Sequence, residues 1–204
     1  MTATHEPMPR LRILVAEDEA LIGMALRTQL TAMGHEVVAV ARSGDRAVEL
    51  AQRLRPELIF MDIKMPEMDG LEAARQIIEA VGPVPILITT AYCDDELSRR
   101  AAEAGVMAYL IKPITEESLE PTMRVALARF QELQLLRHQV TDLQDALETR
   151  KLVERAKGIL MERLGLTERE AFRRLQQESN RQSRKLRDVA QAIVTADEVL
   201  HGEA

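Results

Sequence analysis

Residues 59–70, IFMDIKMPEMDG, run from an apolar segment straight into a carboxylate. The apolar run stops on Asp62, and Pro66 and Gly70 follow at positions that favour a turn. A buried strand that stops on an acid holds that acid rigidly at the edge of a sheet. The segment therefore predicts a functional carboxylate at the end of a buried strand.

Other short apolar segments accompany this one, and helical segments separate them. The predicted strands are Leu11–Ala16, Val37–Val40, Leu58–Met61, Ile86–Thr89 and Ala108–Ile111. The predicted helices, with apolar residues at steps of three and four, are Ala20–Met33, Asp45–Leu54, Leu71–Ala80 and Asp94–Ala104. Strands that alternate with helices favour a parallel sheet covered on both faces, here a doubly wound α/β domain over residues 10–125.

In such a sheet, functional side chains gather at the carboxyl ends of the strands. Glu17 and Asp18 follow the first strand, and Asp62 ends the third. Two like charges about 4 Å apart repel by about 4 kcal/mol at an effective dielectric near 20, and a divalent cation relieves that repulsion. Hard oxygens with room for water suit Mg²⁺. Thr90 follows the fourth predicted strand and Lys112 the fifth. Together with the three acids, they predict a phosphoryl site in which Asp62 is the nucleophile.

These motifs resemble the receiver domain of bacterial two-component response regulators. The matching segments are ILVAEDE (13–19), IFMDIKMPEMDG (59–70), ITTA (88–91) and YLIKP (109–113). The resemblance implies a five-stranded, flavodoxin-like sheet in which Asp62 accepts a phosphoryl group from a sensor histidine kinase. It also implies that Glu17 and Asp18 bind the metal with Asp62, although an Asp is commoner than Glu at the position of Glu17.

The resemblance assigns roles to three further residues. Thr90 would be the switch hydroxyl, Tyr109 the switch aromatic and Lys112 the phosphate-binding lysine. Thr90 is preferred to Thr89 because it directly precedes an alanine and lies 22 residues before Lys112. A cis bond between Lys112 and Pro113 is expected as well.

The sequence predicts an almost continuous helix from residue 116 to residue 163. Apolar residues recur at near-heptad steps, with a break in phase after the fourth: Met123, Ala126, Phe130, Leu133, Leu136, Val140, Leu143 and Leu147. Such a helix spans about 70 Å at ~1.5 Å per residue, which is longer than a small domain. We therefore expect a coiled-coil linker over residues 126–145 that forms a homodimer, with packing against the chain's own first domain as the alternative.

Residues 146–204 are predicted to form an all-α module of three helices. Thr167 and Glu170 have the capping-box pattern, which predicts a helix over Glu168–Asn180, and Ser183 is predicted to cap the last helix, up to Val194. The side chains predicted to face inward are Ala171, Phe172, Leu175, Leu186, Val189, Ala190, Ile193 and Val194.

This module resembles the ANTAR domain of transcription antitermination regulators. The matching segments are RKLVERAKGILM (150–161), LTEREAF (166–172) and KLRDVAQAIV (185–194). The resemblance implies binding to RNA with paired hairpin loops, which prevents a terminator from forming. Receiver and module together resemble actinobacterial antitermination regulators that are controlled by phosphorylation.

The charge pattern permits RNA binding without requiring it. The whole chain has a net charge of −6, but residues 150–187 hold twelve basic and five acidic residues. Charged faces are usually only solvated, yet a basic face also suits a phosphate-rich partner. The candidate RNA-binding residues are Arg150, Lys157, Arg184 and Lys185. Gly158 is interpreted as a site of close helix–helix approach, with close approach of RNA as the alternative. Phe172 is interpreted as a core residue, which leaves arginine planes, amides and the backbone to read the loops.

Several classes of protein are not expected. No charged start followed by an apolar block and no long apolar run is present, so we expect a cytoplasmic protein without a signal peptide or membrane span. The single Cys93 excludes an internal disulfide and a cysteine-based zinc site. An ordinary enzyme is not expected, because the only chemistry visible is phosphoryl transfer onto Asp62 and its hydrolysis.

The sequence therefore favours a response regulator whose phosphorylation promotes dimerisation, so that two modules bind two hairpins. Two alternatives stay open for the helical tail. It would bind duplex DNA if its last two helices act as a helix-turn-helix, or it would dock a protein partner.

Overall fold

The computed structural model describes residues 8–91, 99–101 and 104–201, in two compact units, residues 1–134 and 135–204. The strands are β1 (Arg12–Ala16), β2 (Glu36–Ala41), β3 (Leu58–Asp62), β4 (Ile86–Thr90) and β5 (Ala108–Ile111). The helices are α1 (Ala20–Ala32), α2 (Gly44–Leu54), α3 (Gly70–Val81), α4 (Glu116–Leu164), α5 (Glu168–Gln182) and α6 (Leu186–His201). Most of the predicted helix Asp94–Ala104 lies outside the described residues. Among the described residues, none of these helices combines the length and the hydropathy of a membrane-spanning segment.

The first unit is built on a parallel sheet of five strands in the order β2-β1-β3-β4-β5. The prediction of a doubly wound α/β domain is therefore confirmed. The chain leaves β1 toward β2 on one side and returns to β3 on the other, so the strand order reverses between β1 and β3. Ligands of such sheets bind at the carboxyl ends of the strands beside this reversal. The residues after β1 and at the end of β3 therefore occupy the expected place for a site.

Side chains alternate between the two faces of the sheet, so each strand contributes to two cores. On one face, Leu14, Ile59 and Met61 pack with Leu50 of α2 and Ile77 of α3. β3 and β4 are buried along their whole length. This burial fixes the ends of β3 and β4 relative to each other, which positions the groups that follow.

The other face of the sheet packs on α1 and the first turns of α4. There Ile13 and Phe60 share a cluster with Leu30, Met123 and Ala126. Met123 and Ala126 are fully buried. For these two residues the alternative interpretation is therefore correct, and they pack on their own domain rather than in a coiled coil.

The later part of the heptad stripe is different. Leu136, Val140, Leu143 and Leu147 are 50%, 53%, 71% and 54% exposed. The core of the second unit is formed elsewhere, by the apolar side chains Val153, Ala156, Leu175, Val189, Ala190 and Val194. Since the helix turns by about 100° per residue, the residues of α4 in this core lie on the side opposite the exposed stripe.

The start of α5 follows the predicted capping box. Thr167 accepts a hydrogen bond from the backbone N–H of Glu170, and the Glu170 carboxylate accepts one from the N–H of Thr167. Ser183 does not cap the last helix, however. It ends α5 in the left-handed region with φ 51°, and α6 begins at Leu186. Its geometry ends one helix rather than beginning the next because α5 runs two residues past the predicted Asn180.

Two further expectations for the second unit are wrong. Ala171 and Leu175 are buried as predicted, but Phe172 is 38% exposed and lies outside the core cluster. Gly158 is exposed, and a Cβ built on it would meet no described atom within 4 Å. Close helix–helix approach within the chain therefore does not explain Gly158.

Candidate functional site

The tight return from β3 into α3 explains why Asp62 is followed by a turn and a glycine. The N–H of Gly70 donates to the carbonyl of Ile63 at 2.9 Å, and a Cβ on Gly70 would lie 1.9 Å from the carbonyl oxygen of Asp62. Only glycine allows this approach. The carboxylate of Asp69 then accepts the N–H of Glu72 at 2.8 Å and caps the start of α3. The loop therefore closes directly behind Asp62.

Lys112 joins the acids that follow β1 and end β3. Its Nζ lies 2.7 Å from Asp62 Oδ2 and 2.9 Å from Glu17 Oε1. The side chain of Lys112 is 14% exposed, and those of Glu17 and Asp62 are 1% and 8% exposed. The structure therefore brings three of the predicted site residues into one buried ion-pair network.

For Glu17 and for Lys112 alike, burial and the ion pair between them shift the pKa in opposite directions. Burial raises the pKa of Glu17 to about 7, although hydrogen bonding to Lys112 lowers it. Burial also disfavours the charged form of Lys112, but hydrogen bonds to Asp62 and Glu17 outweigh it, so the pKa of Lys112 is raised. The ammonium is the only cation seen beside these carboxylates among the described residues, and it stays charged.

The acids at this edge also fit a hard cation. Carboxylate oxygens of Glu17, Asp18 and Asp62 lie within 4.8 Å of one another. Glu17 Oε2 is buried and accepts no hydrogen bond from the described residues, although Lys112 Nζ lies 2.9 Å away. Because no described donor is hydrogen-bonded to this oxygen, it keeps lone pairs with which it can bind a divalent cation.

Thr90 and Tyr109 lie on the neighbouring strands. Thr90 ends β4 with 7% exposure, and its carbonyl accepts the N–H of Lys112 at 2.8 Å. Thr89 is the register partner of Asp62. Tyr109 is 47% exposed on β5. The Lys112-Pro113 bond is cis, as expected. The switch roles of Thr90 and Tyr109 stay predictions.

Lys157 is buried and paired with two acids, and its role as an RNA contact stays a prediction. It is 7% exposed, and its Nζ lies 2.9 Å from Glu154 Oε1 and 2.7 Å from Glu168 Oε1. The hydrogen bonds that Lys157 donates, foremost the one to Glu154, raise the pKa of Lys157, and the one to Glu168 lowers the pKa of Glu168. Lys157 joins α4 to the first residue of α5. The spacing along one helix gave no signal of this contact, because it depends on how α5 folds back.

The other candidate cations are differently placed. Arg150, Arg184 and Lys185 are exposed, and within the described part of the chain none of them forms an ion pair within 4.0 Å. Arg169 and Arg173, which the sequence analysis did not name, are also exposed and without such an ion pair to described residues. Their position was the available signal, because Arg169 lies within the capping box and Arg173 one turn of helix later.

Comparison with known protein families agrees with both halves of the molecule. Residues 13–124 match the response regulator receiver domain and residues 141–194 match the ANTAR domain. The chain therefore belongs to the response regulators that carry an ANTAR domain. It is a phosphorylated regulator of transcription that acts through RNA-binding antitermination, and duplex-DNA binding or protein docking by the tail is not favoured.

Individual relatives follow the same division. The chain is 43% identical over 193 residues to the transcriptional regulatory protein PdtaR of Mycobacterium tuberculosis, which covers 95% of this chain and 93% of that protein. A protein-glutamate methylesterase/protein-glutamine glutaminase of Myxococcus xanthus is 49% identical over 110 residues, but over only 31% of its own length. The similarity to this methylesterase is thus confined to part of each protein.

Solved structures match the receiver half. The signal receiver domain of a modulated diguanylate cyclase from Desulfovibrio desulfuricans superposes with a TM-score of 0.55 and 30% identity, over 60% of this chain and 98% of that one. The chemotaxis protein CheY4 of Vibrio cholerae gives a TM-score of 0.54 and 27% identity, over 57% and 98%. The response regulators with an ANTAR domain, to which this chain belongs, are a regulatory rather than an enzymatic family.

Proposed function

We propose that a sensor histidine kinase transfers a phosphoryl group to Asp62 and that Glu17, Asp18 and Asp62 hold Mg²⁺ beside it. The observation that supports this is the contact of Lys112 with both Asp62 and Glu17 at the carboxyl end of the sheet. A carboxylate oxygen of Asp62 forms the new bond to phosphorus while the bond to the kinase histidine nitrogen breaks. When bound, Mg²⁺ neutralises charge on the phosphoryl oxygens.

The chain's own groups then respond to the added charge. An acyl phosphate replaces one negative charge by roughly two, taking the −1.5 to −2 of other phosphorylated side chains as a guide. Lys112 re-pairs with a phosphoryl oxygen, and the hydroxyl of Thr90 donates to another. Tyr109 has a half-exposed ring that can move inward behind Thr90. These movements alter the surface of β5 and bias the helix that follows it.

A kinase needs a surface from which to reach Asp62. Leu21 and Met24 of α1 are 82% and 65% exposed. Leu21 lines an apolar cavity of about 450 Å³ together with Lys112 and Pro113. Exposed apolar side chains this close to the acceptor suit a partner that approaches the carboxyl end of the sheet. We assign this surface to the phosphodonor.

The second unit would bind RNA through its unpaired cations. Arg150, Arg184 and Lys185 are exposed and available to phosphates, whereas Lys157 positions α5. Because transcripts are made in the cytoplasm, this activity places the protein there. The RNA that we propose carries paired hairpin loops, one for each of two modules. Residues 10–125, 126–145 and 146–204 serve as receiver, linker and RNA-binding module.

Two modules are brought together by a homodimer along the exposed stripe of α4. The stripe lies on the side of α4 opposite the core of its own module, so folding of the module leaves it uncovered. Its steps of four, three and four residues are those of a two-stranded coiled coil. Phosphorylation of Asp62 favours this dimer, and linked binding of two hairpins then raises affinity without new contacts.

Mass in solution tests the dimer switch. The wild type is measured by light scattering with and without beryllium fluoride and Mg²⁺, which mimic the acyl phosphate, and we expect a monomer to become a dimer. Leu143→Asp should abolish the change. Leu135→Asp is the matched control, because Leu135 is 65% exposed on the same helix but lies off the stripe. A wild type of unchanged mass contradicts the dimer switch.

A gel shift tests the nucleic-acid class. The activated wild type should retain a two-hairpin RNA at lower protein concentration than duplex DNA of equal length. Preference for the duplex would reverse this assignment.

A further inference from the structure

The second unit exposes its sole aromatic side chain. Phe172 is the only Phe, Tyr or Trp in residues 135–204. It is 38% exposed, while Ala171 and Leu175 of the same helix are fully buried. The core of this unit is formed without it. This large apolar ring therefore lies outside the core cluster of the described residues and keeps more than a third of its surface open to a partner.

The neighbours of Phe172 on α5 include cationic and amide side chains, and the acid on the same flank, Glu168, is paired with Lys157. Arg169 lies three residues before it and Gln176 four residues after it, so both share its flank of the helix. Both are exposed, as is Arg173 beside them. Neither arginine is within ion-pair distance of a described carboxylate. The ring is thus flanked by groups that neutralise phosphates and by an amide that can donate and accept hydrogen bonds.

We infer that Phe172 stacks on an unpaired base of the RNA loop, with Arg169 and Arg173 on the adjacent phosphates. This inference rests on the proposed RNA binding and specifies how the loop is recognised. Every base presents a flat π-face, so one exposed ring is enough to hold a splayed base. A protein partner fits less well, since a stable protein interface buries on the order of 1,000 Å² or more and a single ring among charges offers little of that.

Two substitutions of Phe172 separate stacking from packing. Phe172→Leu keeps apolar bulk but removes the π-face. We expect on the order of tenfold weaker binding to a synthetic RNA with two adjacent stem–loops, at unchanged thermal stability. Phe172→Trp keeps the π-face and should retain affinity. Because the chain has no Trp, its fluorescence reports on this position alone, and the two-hairpin RNA should quench it.

Two controls test whether fluorescence quenching is specific to position 172 and to unpaired bases. Phe130→Trp places the reporter in the first unit beside Pro85 and Arg55, and RNA should leave its fluorescence unchanged. A blunt RNA duplex with the stem sequence should not quench Phe172→Trp, because it offers no unpaired base.

The outcomes are distinct. If the wild type binds the two-hairpin RNA and Phe172→Leu binds it equally well, the stacking role is overturned and the proposed function stands. If the wild type does not bind this RNA, both are overturned. If Phe172→Leu unfolds more easily, Phe172→Trp decides: quenching by the hairpins supports the inference, and no quenching contradicts it.

Discussion

Lys112 holds Asp62 and Glu17 with one ammonium, at 2.7 Å and 2.9 Å from their carboxylate oxygens. The three residues belong to the ends of three different strands, so their meeting depends on the strand order. In the proposed reaction the same ammonium changes partners, from Glu17 to the phosphoryl group on Asp62. The resting pairing and the phosphorylated state therefore compete for Lys112.

Substitution of Lys112 should show how far its ion pairs with Asp62 and Glu17 stabilise the metal-free protein. Lys112→Ala leaves two buried carboxylates without a counter-ion, and loss of one partner from a buried pair costs about 3 kcal/mol or more. We expect the metal-free variant to unfold at lower denaturant, and Mg²⁺ to stabilise it more than it stabilises the wild type. Denaturation in EDTA and in MgCl₂ measures both effects, with exposed Lys64→Ala as control. Equal stability of variant and wild type in EDTA would contradict the ion-pair network.

The raised pKa of Glu17 predicts a pH dependence. A carboxyl whose pKa rises from 4.5 to about 7 on folding binds its proton more tightly in the folded state. Its contribution to the free energy of unfolding is therefore complete below pH 4.5 and is lost as the pH rises through 7. The stability of the metal-free protein should fall between pH 5 and pH 8, as followed by urea denaturation. Glu17→Gln should flatten that slope.

Mg²⁺ binding should show the opposite trend over the same range. The proton on Glu17 must leave before its oxygen can bind a cation, so affinity rises with pH. Titration calorimetry at pH 6 and pH 8 measures this rise. An affinity for Mg²⁺ that does not change across this range would exclude Glu17 as a ligand with a raised pKa.

Gly70 and Gly158 should respond to alanine in opposite ways. A Cβ on Gly70 meets a backbone carbonyl at 1.9 Å, and the backbone cannot yield, so Gly70→Ala should cost about 3 kcal/mol and reduce phosphorylation. A Cβ on Gly158 meets no atom of the described residues within 4 Å, so Gly158→Ala should stabilise α4 by about 1 kcal/mol. Chemical denaturation of both variants measures the difference. A destabilised Gly158→Ala would show that another contact occupies that position.

Salt dependence should separate cations that bind phosphate from one that positions a helix. Arg150→Ala and Arg184→Ala should each lower the slope of log K against log salt by about 0.7 to 0.9, the value for one phosphate contact. Lys157→Ala should weaken RNA binding through misplacement of α5 while leaving the slope unchanged. Affinity measured at a series of salt concentrations gives these slopes. A lowered slope for Lys157→Ala would instead assign it to the RNA.

The sequence predicted the receiver half closely because its signals are local. An apolar strand that ends on Asp62 and a lysine before Pro113 occur at strand ends, and a parallel sheet brings such ends to one edge. What the sequence did not contain is the pairing inside the site. That Lys112 contacts Glu17 as well as Asp62 depends on how far each side chain reaches across the strand order.

The wrong predictions of burial were concentrated in the helical half, because there the packing of one helix on another determines which side chains are buried. The heptad pattern did not distinguish Met123, which packs on the sheet, from Leu143, which is exposed, because both fit the same spacing. Phe172 fits an inward position by hydrophobicity, but Leu175 and Ala171 fill the available core. The sequence predicted an exposed cation at Lys157, whereas in the structure Lys157 is buried and paired with Glu168 of α5.

The coupling of Asp62 to RNA binding tests the central claim most directly. The affinity of the full chain for a two-hairpin RNA is measured before and after incubation with a small-molecule acyl-phosphate donor and Mg²⁺, for the wild type and for Asp62→Asn. We predict that the wild type takes up one phosphoryl group and binds the RNA more tightly, while Asp62→Asn does neither. Equal gains in affinity by both proteins, or uptake without any gain, would contradict the account.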